Sequence, residues 1–237
     1  MPYETNAAFA EYFTDTGKTA PPPHLSIRYD AEGHFLREPG NTIVCHVPLE
    51  SRTASALERT RNGLMALPYG DRFAYTPPPS YHMTVFQGII DSRREAVYWP
   101  EGVALEMPVE ETTQLFLSRL ADFPPAPPFR MRIKEVTPLG VTVVGATTED
   151  EAAIQSLRDA LTAPFSFRHP DHDDYTFHIT LAYLKAWLPA GAEAIYLPAL
   201  AELTRVFAAD VDMIELGLPA FCEFDDMTEF RPLLFLG

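Results

Sequence analysis

Two short segments, Tyr81-His82-Met83-Thr84-Val85 and Phe177-His178-Ile179-Thr180-Leu181, repeat one pattern of aromatic, histidine, apolar, threonine, apolar, and any fold for this chain has to accommodate both. Each follows a strand-like run and an amphipathic stretch. The first block opens on Thr42-Ile43-Val44-Cys45-His46-Val47, whose β-branched content predicts a buried strand. A helix is expected next, from about Ser51 to Met65, with Leu57, Leu64 and Met65 on its apolar side. The second block opens on Val141-Thr142-Val143-Val144-Gly145. There Thr148 and Glu151 read as a capping box for a helix carrying Ile154, Leu157 and Leu161 on one face. From Ile43 to His82 is 39 positions and from Thr142 to His178 is 36, which reads as an internal duplication.

Alternate residues of a strand share a face. Tyr81, Met83 and Val85 then anchor the first strand while His82 and Thr84 point the other way, with Phe86 expected beside them. Phe177, Ile179 and Leu181 anchor the second and leave His178 and Thr180 together. If a pseudo-two-fold axis relates the halves, both polar pairs converge on one cleft. Two imidazoles there can accept and donate a proton near neutral pH. The hydroxyls of Thr84 and Thr180 can hold non-bridging phosphate oxygens, and Phe86 could stack on a base. A lone His-x-Thr strand is usually just a strand; a matched pair in equivalent places points to a shared site.

Between the blocks a helix is predicted near Val109 to Leu120, then a strand Arg130-Met131-Arg132-Ile133-Lys134 that can pair with residues 141–145 through Thr137-Pro138-Leu139-Gly140. A strand from Thr176 to Leu184, a short helix near 198–208 and strands around Met213–Leu216, Phe221–Phe224 and Leu233–Leu236 complete the reading. The fold class is α+β, a duplicated two-lobe arrangement with antiparallel-rich sheets lining a central cleft and helices outside. Residues 1–40, rich in proline and turn formers, are expected as an N-terminal arm or irregular extension, and 41–237 as one two-lobed domain.

The paired motifs resemble those of the two-histidine (2H) phosphoesterase superfamily, over most of residues 41–236. The runs Ser80 to Phe86 and Tyr175 to Tyr183 look like a branch of unassigned function. The resemblance implies a 2H phosphoesterase-like fold and catalytic roles for His82 and His178, with Thr84 and Thr180 as substrate-binding residues. It also implies opening of a 2′,3′-cyclic phosphate by water, one histidine serving as base and the other as acid. Many relatives place a basic residue after the second motif, where this chain has Ala182-Tyr183-Leu184-Lys185.

The expected activity is therefore a metal-independent, cofactor-free cyclic phosphodiesterase-like hydrolysis of a 2′,3′-cyclic nucleotide or short RNA end. The alternatives are a nucleotide-binding module of the same fold without turnover, or an RNA end ligase. A net charge of −15 disfavours duplex nucleic acid as a partner and favours a small phosphodiester. The histidines and aspartates of His169-Pro170-Asp171-His172-Asp173-Asp174 are of metal-ligand type, but crowded in one loop they read better as a solvated acidic border. Arg130, Arg132 and Lys134 share a strand face that could attract phosphate or merely face solvent. Tyr175 and Tyr183 read as anchoring residues, and Cys45 and Cys222 as buried free thiols. No run approaches the roughly 20 apolar residues of a membrane span, and the opening Met1-Pro2-Tyr3-Glu4 lacks secretory character, so a cytoplasmic location is expected.

Overall fold

The structure, a computed structural model, describes residues 20–237; the first part of the predicted arm lies outside the described residues. Strand β1 (Gly40–His46) leads into helix α1 (Arg52–Met65), short strand β2 (Phe73–Tyr75) and strand β3 (His82–Ile90). Helix α2 (Val109–Leu120) follows. The second half runs β4 (Met131–Thr137), β5 (Gly140–Gly145), α3 (Thr148–Phe165), β6 (His178–Thr180), β7 (Ala182–Leu184), α4 (Glu193–Asp210), β8 (Ala220–Phe224) and β9 (Arg231–Phe235).

Seven strands form one sheet in the order β4-β5-β6-β3-β1-β8-β9, every neighbouring pair antiparallel. The expected duplication is visible in that order. β1-α1-β3 and β5-α3-β6 each close on themselves by pairing their two strands, and the halves meet where β3 pairs with β6. The α+β class and antiparallel sheet are as the pattern requires, with both halves sharing one continuous sheet.

Local chemistry explains the helix starts. Ser51 Oγ accepts from the Ala54 amide at 3.0 Å and caps α1. The capping box of α3 is Thr147 with Asp150, one residue earlier than the sequence suggests. Thr148 fits the same pattern, but Asp150 also accepts from the Arg130 amide, which favours the earlier register. Apolar spacing then turns Ile154, Leu157, Leu161 and Phe165 onto the sheet. These residues join the inward faces of the other helices and of β3, β5 and β6 in one core. Met65, by contrast, is exposed.

Two predicted strands change. Residues 213–216 form only an isolated bridge, Ile214 to Met131. The strand expected from Thr176 to Leu184 breaks at Leu181, where the amides of Leu181 and Ala182 both reach the Leu139 carbonyl, at 2.8 and 3.0 Å. Two successive residues opposite one partner make a bulge, and β7 leaves to pair with β2.

The sheet face opposite the helices carries a smaller cluster of Val44, Ala220, Cys222, Phe224, Met227 and Phe230. Phe35 and Tyr183 lie against it, so residues 20–39 drape over this face. Cys45 and Cys222 fall in different clusters as buried free thiols, and burial raises both thiol pKa values. Among the described residues no helix is long and apolar enough to cross a membrane.

Candidate active site

Met83 pairs with Ile179 across β3 and β6. In an antiparallel ladder that register sets His82 opposite Thr180 and Thr84 opposite His178. The two histidines are diagonal neighbours, a relation that separates backbones by roughly 7–8 Å. All four side chains leave the core face, since the alternate residues Met83, Val85, Ile179 and Leu181 are fully buried in it.

The two imidazoles are held alike. His82 Nδ1 lies 2.6 Å from the Ser80 carbonyl and His178 Nδ1 lies 2.9 Å from the Thr176 carbonyl, each two residues upstream. A carbonyl only accepts, so each Nδ1 carries a proton and each Nε2 is left to accept or donate one. Among the described residues neither Nε2 has a hydrogen-bond partner. His82 is the more enclosed, its ring 4.0 Å from that of Phe230. Burial pushes its pKa down to about 3, against the pull of the Ser80 carbonyl and with help from His46 and His178. His46, opposite His82 on β1, donates Nε2–H to the Phe230 carbonyl at 2.8 Å.

A cavity of about 430 Å³ opens beside His178, Thr180 and Tyr183 and runs to Lys134, Thr137 and Thr142. His82 and Thr84 are on the neighbouring strand outside its lining. Tyr183 was expected on the anchored face; the bulge at Leu181–Ala182 reverses the alternation and brings it round to the cleft. Its hydroxyl adjoins Thr180 and Arg28. Tyr175 stands in the irregular run before β6, beside His178 with ring centroids 6.1 Å apart. The Tyr175 hydroxyl is near Thr84 but buried without a partner at hydrogen-bond distance. Burial raises both phenols, Tyr175 to about 12, so both remain hydrogen-bond donors at neutral pH.

Phe86 does not reach the cleft. Ile43 faces Phe86 while Val44 faces Thr84, so β3 holds an extra residue there, and the buried pair Val85–Phe86 marks the reversal. The Phe86 ring is fully buried, 4.8 Å from that of Phe165. The basic row of residues 130–134 is also divided. Arg130 pairs with Asp150 at 3.3 Å, Arg132 is exposed, and Lys134, at a register shift between Ile133 and Glu135, borders the cavity. Lys185 turns to the Glu32 carbonyl at 3.4 Å.

The acidic loop directs its histidines inward. His169 Nε2 meets the Gln87 carbonyl and His172 Nε2 meets Asp159, both at 2.9 Å, with both rings edge-on to Phe86. His24, Arg28 and His46 were not singled out as site residues from sequence. Their places depend on contacts across long chain separations that no local pattern signals.

The sequence profile described as 2H-phosphodiest, a domain of unknown function (DUF1868), matches residues 28–142. That of the 2′-5′ RNA ligase superfamily matches residues 102–219. The first spans the His82 strand and the second the His178 strand. Among solved structures, a conserved protein of unknown function from Agrobacterium tumefaciens is 40% identical, with a TM-score of 0.93 over 96% of this chain and 98% of its own. No curated protein matches.

Proposed function

We propose that this chain, which belongs to the two-histidine phosphoesterase superfamily, opens a 2′,3′-cyclic phosphate or a related small phosphodiester, with His82 and His178 as the proton-transfer pair. One observation carries the reading. Both rings are fixed through Nδ1 by a backbone carbonyl two residues upstream, leaving two Nε2 atoms on one face of the sheet, each histidine opposite a threonine of the other motif. Binding alone does not need two such groups.

His82, whose enclosure keeps it neutral, is assigned the base. Its Nε2 takes a proton from water as the water oxygen bonds to phosphorus. The phosphorus–ribose oxygen bond breaks, and that oxygen takes the proton from Nε2 of His178. An anionic phosphate beside His82 raises its proton affinity as the substrate binds. Thr84 and Thr180 donate to the non-bridging oxygens, where charge accumulates. The two histidines then exchange protons with solvent and the cycle closes.

The test is incubation of the purified chain, with EDTA, with 2′,3′-cyclic mononucleotides and 2′,5′-linked dinucleotides, beside His82→Ala and His178→Ala. Hydrolysis by the wild type that is lost in both variants is the expected result. Turnover that survives in either variant overturns the pairing. The match to the 2′-5′ RNA ligase superfamily favours one second reading, attack by an RNA 5′-hydroxyl in place of water. Supplying such an end with the cyclic phosphate distinguishes joining from hydrolysis.

A further inference from the structure

We propose, resting on the phosphoester reading above, that residues 20–39 form a wall of the site and that Arg28 is its phosphate-binding residue, gripping an anionic oxygen at the His178–Thr180 end of the cavity. A chain of net charge −15 needs a local cation to hold a phosphate. Among the described residues, Arg28 and Lys134 are the arginine and lysine side chains on this cavity. Arg28 is placed there by a turn. His24, at φ 73°, gives its carbonyl to the amides of Ile27 and Arg28 at 3.0 and 2.8 Å, which brings the His24 and Arg28 side chains to the cavity together. A non-glycine residue at positive φ is strained and persists only where its surroundings fix it.

Here they do. Tyr29, 1% exposed, sets its hydroxyl 2.8 Å from the Leu184 carbonyl. Its ring stacks on Tyr183 with centroids 5.5 Å apart, and Phe35 meets the same ring edge-on at 6.0 Å. The segment is thus docked on the residue that ends the second motif.

Arg28 itself is braced from behind. Its Nε donates to Glu38 Oε2 at 2.6 Å, the Glu38 side chain is 2% exposed, and Ser92 donates to the other carboxylate oxygen. A buried carboxylate on the Nε edge orients the guanidinium, which borders the cavity beside the Tyr183 hydroxyl, where its planar fork can meet a phosphate oxygen. The opposite half of the site supplies a control. Arg158 lies over Tyr175, 4.3 Å from the ring centre, as Arg28 lies 5.3 Å from that of Tyr183. Yet Arg158 is buried, with Nη1 on the Val85 carbonyl and Nη2 on that of His172. Arg158 is consumed by the core; Arg28 borders the cavity.

The experiment titrates inorganic phosphate and a nucleoside 2′-monophosphate into the full chain, read by calorimetry and by the His178 ring ¹⁵N shifts. Wild type, Arg28→Lys and Glu38→Gln are compared, each checked for folding by its melting curve. Arg28→Lys keeps a charge beside Glu38 but removes the fork. The expected result is phosphate binding in wild type, weakened at least tenfold in Arg28→Lys and several-fold in Glu38→Gln. Equal affinity in wild type and a folded Arg28→Lys, or no phosphate binding by wild type, overturns the proposal. Because binding is read without turnover, failure of the two-histidine chemistry shows separately, as lack of hydrolysis by a wild type that binds phosphate.

Discussion

Met83 faces Ile179 across the seam between the two halves of the sheet, and that one pairing aligns both His-x-Thr motifs. Because the strands are antiparallel, each threonine faces the other motif's histidine, and each histidine is steadied by the carbonyl two residues before it. The face is thus shared: each half supplies one imidazole and the hydroxyl opposite the other half's histidine. A shift of one residue between β3 and β6 would turn one histidine into the core.

The hydroxyl roles are tested by Thr84→Val and Thr180→Val, which keep the side-chain shape and remove the donor. Loss of one donor to a charge-accumulating oxygen should lower turnover on the order of 10², with the melting temperature little changed. Near-normal steady-state rates in both variants would remove the phosphate-cradle role.

The enclosed His82 makes stability depend on pH. Its folded pKa, about 3, is below the unfolded value of about 6.5, so the unfolded chain binds the extra proton between these limits. Its contribution is whole above pH 6.5 and is lost as pH falls toward 3. Burial lowers His24 and His169 in the same direction, so the contribution of His82 is the difference between wild type and His82→Gln. Urea midpoints measured from pH 4 to 8 should fall more steeply with acid in the wild type, and parallel curves would contradict the assignment. Where chemistry limits the rate, the two proton transfers should also give a bell-shaped pH profile.

The motifs, the repeat and the α+β class were legible because each is a local pattern: alternation in two strands, 3.6-residue spacing in α3, similar spans from Ile43 to His82 and Thr142 to His178. Alternation misplaced residues just past a bulge. Phe86 and Tyr183 both exchange faces because β3 gains a residue near Val85 and the chain bulges at Leu181–Ala182, and an extra backbone residue has no side-chain signature. Arg28 was beyond reach for another reason. Its neighbour Tyr183, and the Ser92 that holds its partner Glu38, are brought into place only by the completed sheet.

Phe86 gives a direct test of which face it occupies. Fully buried against Phe165, it should cost about 3–5 kcal/mol of stability as Phe86→Ala and less as Phe86→Leu, which leaves a smaller cavity. Denaturant unfolding checks both. The folded Leu variant should keep the wild-type KM for a cyclic nucleotide; a KM raised tenfold at unchanged stability would return the ring to the cleft.

Gly140 ties the turn chemistry to the site. It ends the Thr137–Gly140 turn at φ 155° and pairs with Thr180. A Cβ there would be 2.1 Å from the Ile179 carbonyl oxygen and 3.0 Å from the Leu181 amide nitrogen. Backbone cannot yield as a flexible side chain does, so Gly140→Ala must push β6 away from β5, on the order of 1–3 kcal/mol of strain. The displaced residues are those that set the register with Met83 and carry His178 and Thr180, so kcat/KM should fall together with stability. Gly102→Ala is the control: φ is 77° and nothing lies within 4 Å of its Cβ, so it bears backbone strain far from the motifs. If the two alanine variants lost stability to a similar degree and both kept full turnover, the close approach of β5 to β6 would not be what holds His178 in place.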